Sequence, residues 1–330
     1  MTDQDTDCWA VPPLRPTISF EVMPPRRPGL APKFWGTVDA LIGARPDFLS
    51  VTYGAAGNDR DTARQVVSRL VQQAPVLPIA HLTCVGHSRA DVVDVVDEFL
   101  SAGVRSFLAL RGDPPAGQPD WKPTPGGVNS SVELIALLKD RERTRCAAHP
   151  GNALRGAAHP LTIAVATFPD GNPAAGTTRD QEIERLLVKQ AAGASFAITQ
   201  LFYRARTYAE FVERARAAGV HIPILAGILP ATDPTRLLRV AELSGVRPPA
   251  ELLDRLSAAS SDDERHAIGT QATAALAQSV LDAGAPGLHI YTFNKARPAL
   301  DVLAHLELLN VEPNQPNPLT ASAVVKGTPA

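Results

Sequence analysis

The chain is poor in cysteine. It has three in 330 residues (Cys8, Cys84 and Cys146), too few and too widely spaced for a disulfide framework. It has no apolar run of about 18 residues, so no membrane-spanning helix is expected. Neither sign of charge prevails. The 32 Lys and Arg against 34 Asp and Glu leave a net charge of -2, with no footprint for nucleic acid or a membrane surface. The opening "MTDQDTDCWAVPP" is acidic and polar, unlike a secretory leader, and a soluble cytoplasmic protein is expected. Familiar motifs are missing too: no GxGxxG after a strand pattern, no Walker loop, no HExxH and no GxSxG. Cys146, His149 and His159 share a polar insertion, but their spacing matches no zinc signature and a fourth ligand is lacking, so no metal site is expected.

What is present is a repeated grammar. "FLSAGVRSFLAL", "KQAAGASFAITQ", "ARAAGVHIPILAG" and "VLDAGAPGLHIYT" each end an amphipathic helix at Ala-Gly and soon begin an apolar strand. Gly103, Gly193, Gly219 and Gly284 suit the left-handed residue that closes a helix. On this basis eight strands are expected, at 17–23, 47–54, 76–84, 106–113, 162–169, 196–203, 222–230 and 287–294, each followed by a helical pattern. Nearly continuous apolar strands such as "FLALRGD" imply burial on both faces, as in a parallel sheet. The α/β class and the eight units point to a (β/α)8 TIM barrel, with a doubly wound sheet as the alternative. The expected organisation is an N-terminal arm at 1–15, one barrel at 16–310 and a disordered tail at 311–330. "DRERTRCAAHPGNALRGAAHP" reads as a polar insertion before the fifth strand, and "SSDDERHAIG" as the start of an extra helix before the last.

In a barrel, catalytic groups come from the C-terminal ends of the strands. Polar residues gather at those ends: Glu21, Thr52 and Tyr53, His81 and Thr83, Arg111-Gly112-Asp113, Thr199 and Gln200, then Tyr291, Thr292 and Asn294. Glu21 stands in "TISFEVMPPRR", where a charge is costly unless it is paired or faces a cleft. Bland readings stand beside the functional ones. Glu21 suits an edge strand facing water, His81 a hydrogen-bonded core position, and Phe202 core packing as well as ligand stacking. Gln200 is harder to treat so, because an unpaired buried amide costs about 1–3 kcal/mol. "GAAG" at Gly54–Gly57 permits close ligand approach but is weak alone.

Glu21 with "LSVTYGA", "AHLTC", "LRGD", "AITQ" and "YTFN", in that order, resembles the methylenetetrahydrofolate reductase family over most of the chain. The resemblance implies a (β/α)8 barrel that reduces 5,10-methylenetetrahydrofolate to 5-methyltetrahydrofolate, as in one-carbon metabolism and methionine biosynthesis. Its hydride comes from NADH or NADPH, normally through bound FAD. Glu21 matches the family's general acid, and an acid buried in an apolar strand is expected to have a raised pKa and to hold its proton near neutrality. Asp113 matches the carboxylate that stabilises the iminium cation, and Gln200 the amide that binds the pterin. Phe202, Tyr291 and Lys295 complete the implied folate contacts, Lys295 in place of the usual arginine. Thr52, Tyr53, His81, Arg111, Gly112, Phe168 and Lys189 are the implied cofactor contacts.

The flavin side departs from the pattern. Ser130 stands where the family has a tyrosine, Phe168 has lost a hydroxyl, and Asn172 replaces a histidine. The Asn-x-x-Arg-Lys face becomes Arg185, Val188 and Lys189, where the loss of the arginine removes a charge-assisted bond of about 1.5–3 kcal/mol. Arg185, one turn away, is placed to compensate. Arg236 and Val240 stand where a Gln and a Phe often meet nicotinamide and folate. Folate-facing residues kept and flavin-facing residues replaced favour direct hydride transfer over a bound FAD. The alternatives are a conventional FAD-dependent enzyme, a non-catalytic folate-binding barrel and, more distantly, a pterin-binding transferase.

Overall fold

The computed structural model describes residues 15–53, 60–84, 86–112 and 126–309. Its eight strands are β1 (Thr17–Val22), β2 (Phe48–Val51), β3 (Leu77–Thr83), β4 (Ser106–Leu110), β5 (Thr162–Thr167), β6 (Phe196–Thr199), β7 (Ile224–Ile228) and β8 (Gly287–Tyr291). All pair in parallel in chain order, and β8 returns to β1 to close a barrel. The helices are α1 (Ala31–Gly43), α2 (Arg60–Gln73), α3 (Arg89–Ser101), α4 (Ser131–Ala148), α5 (Pro150–Ala158), α6 (Arg179–Ala192), α7 (Ala205–Ala217), α8 (Pro234–Ser244), α9 (Ala250–Ala258), α10 (Asp262–Asp282) and α11 (Ala296–His305). This is the expected (β/α)8 barrel. Of the expected arm only Arg15 is described, and the tail from 311 and the Gly54–Gly57 loop lie outside the described residues.

The strands are shorter than the apolar runs that announced them. The seventh, expected over 222–230, pairs only from Ile224 to Ile228, because Pro223 and Pro230 at its two ends have no N–H for the ladder. The polar insertion is helical. It prolongs α4 to Ala148 and adds α5, whose first turn is capped by His149 through Nδ1, which accepts from Gly151 N at 3.1 Å. Among the described residues no group of metal-ligating side chains gathers, and no helix is long and apolar enough to cross a membrane. The extra helix is α10, begun by Ser261, whose Oγ accepts from Glu264 N. The four Ala-Gly helix ends all place their glycine at positive φ, between 87° and 105°.

Two cores follow from the period-two alternation of side chains along each strand. One alternate set meets the helices: Phe20, Val22, Leu49 and Val51 join Val38, Leu41, Val66 and Leu70 in the outer shell. The other set fills the barrel with Phe48, Ile79, Leu108, Ala164, Phe196, Ile198 and Leu225, where Phe48 and Phe196 have ring centroids 5.7 Å apart. Two residues further along β2 and β3, and at the same level on β1 and β8, this inward face is polar. Phe48 gives way to Ser50 and Ile79 to His81, while Ser19 leads to Glu21 and His289 to Tyr291. The apolar plug is thus a floor, and the polar layer above it opens at the C-terminal mouth.

Candidate active site

Glu21 is the penultimate residue of β1, in register with Ser50 on β2 and Tyr291 on β8. Its side chain is 21% exposed, and Oε2 lies 3.7 Å from His81 Nε2 and 4.0 Å from His289 Nε2. Burial pushes the carboxyl up, but a hydrogen bond with His289 and the charges of His81 and His289 pull harder, so the net direction is below the ordinary value. This corrects the raised pKa expected from the sequence. A carboxyl in an apolar strand has nothing to offset burial until β3 and β8 deliver two imidazoles. His81 itself is pushed by burial down to about 4, against the opposing pull of Glu21. It is therefore a neutral imidazole near neutral pH.

His289 is the site residue that the strand-end survey missed. It is fully buried and stacks on Phe48 with centroids 5.9 Å apart, and the edge of Tyr291 closes its other side at 5.3 Å. Its Nδ1 is 2.8 Å from Ser19 Oγ and its Nε2 3.4 Å from Ser50 Oγ. The signal was available in the alternation of "HIY", since His289 must share the inward face of Tyr291.

Tyr291 OH donates to Thr199 O at 2.7 Å, crossing over β7. Gly227 clears that path, because a Cβ there would collide with the Thr199 carbonyl and stand 2.8 Å from the Tyr291 ring edge and hydroxyl. The rest of "YTFN" clamps the end of β1. Thr292 Oγ1 donates to Glu21 O at 2.6 Å, while Asn294 accepts from Met23 N at 2.9 Å and donates to Met23 O at 2.6 Å. Phe293 and Asn294 take left-handed conformations to make this turn. On β6's end, Gln200 Oε1 accepts from Leu201 N at 2.8 Å, leaving Nε2 without a hydrogen-bond partner among the described residues. Lys295 is half-exposed, its Nζ 3.6 Å from Asp233 Oδ2, in a cleft of about 850 Å³ that Asn294, Lys33 and Arg297 also line.

The other expected site residues are dispersed. Glu21, His81 and Tyr291 come together, and Gln200 follows the Thr199 that Tyr291 reaches. Tyr53 and Phe202 do not join them. Both are buried in the shell between barrel and helices, Tyr53 edge-on to Phe99 and Phe202 stacked on Tyr208 with centroids 5.8 Å apart. Their apolar rings gain more from that shell than from a wet mouth, which corrects their expected place among the ligand contacts. Thr52 is half-buried after β2, and Phe168 is half-buried after β5. Arg111 is exposed, and Gly112 takes a positive φ of 88°. Asp113 lies outside the described residues.

Where the family pattern meets a flavin nucleotide, the side chains are otherwise engaged. Ser130 caps α4, with Oγ accepting from Glu133 N at 3.1 Å, and Asn172 caps the turn at Pro173–Ala175. Val188 is 53% exposed and apolar. Lys189 Nζ donates to Ala166 O at 2.7 Å, and burial pushes its ammonium down. Arg185 donates to the buried Glu182 at 3.2 Å. A dinucleotide phosphate would have to draw both cations away from these partners, so this face fits FAD poorly.

The chain matches the sequence profile described as methylenetetrahydrofolate reductase over residues 13–307. The 5,10-methylenetetrahydrofolate reductase of Pectobacterium carotovorum subsp. carotovorum is 29% identical over 285 residues, covering 86% of this chain and 87% of that protein. Methylenetetrahydrofolate reductase (NADH) 1 of Arabidopsis thaliana is 30% identical over 302 residues, covering 89% of this chain and 48% of that protein. The chain thus spans about half the length of the plant relative. Among solved structures, an uncharacterized Clostridium thermocellum protein that binds two copies of 5-methyl-5,6,7,8-tetrahydrofolic acid superposes with a TM-score of 0.57. At 13% identity, over 88% of this chain and 96% of that one, this likeness speaks for the fold alone.

Proposed function

The chain belongs to the methylenetetrahydrofolate reductase family and is an oxidoreductase, and on that premise we propose that it reduces 5,10-methylenetetrahydrofolate to 5-methyltetrahydrofolate by direct hydride transfer from NADH or NADPH, with Glu21 as the acid. The observation that carries this reading is the Glu21 carboxyl, half-buried at the barrel mouth with two imidazoles within 4.0 Å. A surface carboxylate needs no such surroundings. A proton donor to a bound substrate does.

Glu21 gives its proton to the leaving nitrogen of the substrate's five-membered ring. The bond from that nitrogen to the methylene carbon breaks, leaving a 5-iminium cation, and the hydride adds to that carbon to form the methyl group. Oxidised nucleotide leaves, and Glu21 takes a new proton from solvent. A pterin over the mouth would exclude water from the carboxyl and strengthen burial, which favours its protonated form. Asp113, next after Gly112, would stabilise the cation, a role resting on the resemblance. The unpaired Nε2 amide of Gln200 is available to the pterin edge, and Lys295 to the anionic tail of the folate.

Direct transfer is favoured by the engaged side chains of the flavin face. Stereospecifically deuterated NADH or NADPH tests it. The expected result is a colourless protein that places the label in the methyl product without added FAD. A stoichiometric flavin spectrum, or activity only after FAD is added, would establish the conventional two-step route instead.

A further inference from the structure

A nicotinamide dinucleotide needs cations for its phosphates, and the two on the flavin face are committed, Lys189 to Ala166 O and Arg185 to Glu182. Free ones stand elsewhere on the C-terminal rim. A cavity of about 440 Å³ lies between the segment after β5, the start of α7 and the α8–α9 connection, with Asp170, Tyr203, Arg204, Thr207, Arg247 and Pro249 in its wall. Arg204 and Arg247 are exposed, and neither guanidinium has a hydrogen bond or ion pair among the described residues. The Asp170 carboxylate is already paired with Arg179 at 3.2 Å, so it does not cancel the two arginines. Tyr203 has its hydroxyl buried without a hydrogen-bond partner among the described residues, and burial pushes the phenol up, so it stays a neutral donor. A buried hydroxyl left unpaired is costly, and an acceptor seated against this wall would relieve it. α7 starts here with no side-chain cap and no acidic residue in its first turn, which adds to the same positive sign.

We propose that this cavity receives a phosphate of the hydride donor, bound by the guanidinium groups of Arg204 and Arg247, while the nicotinamide reaches the folate at the mouth. This rests on reading the chain as a reductase with direct hydride transfer. The cavity is close enough to the mouth for one dinucleotide to serve both. Tyr203 is three residues beyond Gln200, at most about 11 Å of chain, and it packs in the same apolar cluster as Tyr291. It is also separate from the cleft beside Lys295, with which it shares no lining residue, so the tail of the folate and the phosphate of the donor do not compete. Arginine suits the task, since its planar fork aims two N–H donors at two phosphate oxygens and stays charged at any working pH. The phosphate is the pyrophosphate, common to NADH and NADPH, or the 2′-phosphate, present only in NADPH.

Calorimetric titration of NADH and of NADPH, separately, into the unliganded protein tests the site. Arg204→Ala and Arg247→Ala should each raise the nucleotide Kd about tenfold, the loss of one charge-assisted bond. The urea midpoint of unfolding should stay at the wild-type value, because neither side chain has a partner to lose. An equal rise for both nucleotides assigns the pyrophosphate, and a rise for NADPH alone assigns the 2′-phosphate. Unchanged Kd values for both nucleotides overturn the proposal, as does a rise confined to the folate KM. The deuterium-transfer assay separates the premise. If the label reaches the methyl group only when FAD is added, direct transfer fails, while the nucleotide Kd values still decide the site.

Discussion

At the residue scale, the chemistry turns on one proton at Glu21. Glu21→Gln keeps the shape of the side chain and removes the acid. Turnover should fall by about 10²–10⁴ with the folate KM little changed. Turnover near wild type would remove Glu21 from that role. Gln200 offers a cleaner dissection than its position alone suggests, because its two amide atoms are already divided. Oε1 serves Leu201 N, and Nε2 remains for a ligand. Gln200→Glu keeps the acceptor and deletes only the donor, so the folate KM should rise about tenfold, the equivalent of one hydrogen bond. An unchanged KM would make Gln200 a packing residue.

At the scale of elements, the mouth is held by contacts between strands that are neighbours only once the barrel closes. Tyr291 reaches Thr199 across β7 because Gly227 has no side chain. A methyl there meets backbone on one side and the phenol ring on the other, and neither yields cheaply. Gly227→Ala should therefore cost about 1–3 kcal/mol, readable as a lowered urea midpoint, and should also raise the folate KM by displacing Tyr291. Unaltered stability would mean that β6 and β8 can move apart. The β8–β1 clamp of Asn294 on Met23 belongs to the same scale, and with Thr292 on Glu21 O it accounts for two of the polar residues of "YTFN".

At the scale of the whole molecule, the buried imidazole of His81 makes folding depend on pH. Its folded value of about 4 lies below the ordinary 6.5. Above 6.5 both folded and unfolded rings are neutral and contribute nothing. As pH falls from there toward 4, the unfolded chain binds a proton that the native ring refuses, so stability drops. The full loss is on the order of 3 kcal/mol. Glu21, with its folded value lowered, adds stability above its ordinary 4.5 that is lost further into acid. Between pH 6.5 and 4.5 His81 thus contributes a falling slope, and His81→Asn should reduce it in a series of thermal melts. A slope equal to wild type would place the acid sensitivity elsewhere in the fold.

The eight strands, the glycine-closed helix ends, the Ser261 cap and the place of Glu21 near the end of the first strand were all legible in the sequence. Each depends on short-range causes: alternation, helical spacing, capping chemistry and the φ range open to glycine. Only the tertiary structure decided what surrounds Glu21. It brought His81 from β3 and His289 from β8, and so reversed the expected direction of the carboxyl's shift. It also turned Tyr53 and Phe202 into the shell, since an aromatic ring beside a strand end suits a helix face as well as a ligand. Ser19 and His289 stand 270 residues apart, and nothing local to either specifies the other. Barrel closure joins β1 to β8, and that pairing alone brings Ser19 Oγ to within 2.8 Å of His289 Nδ1.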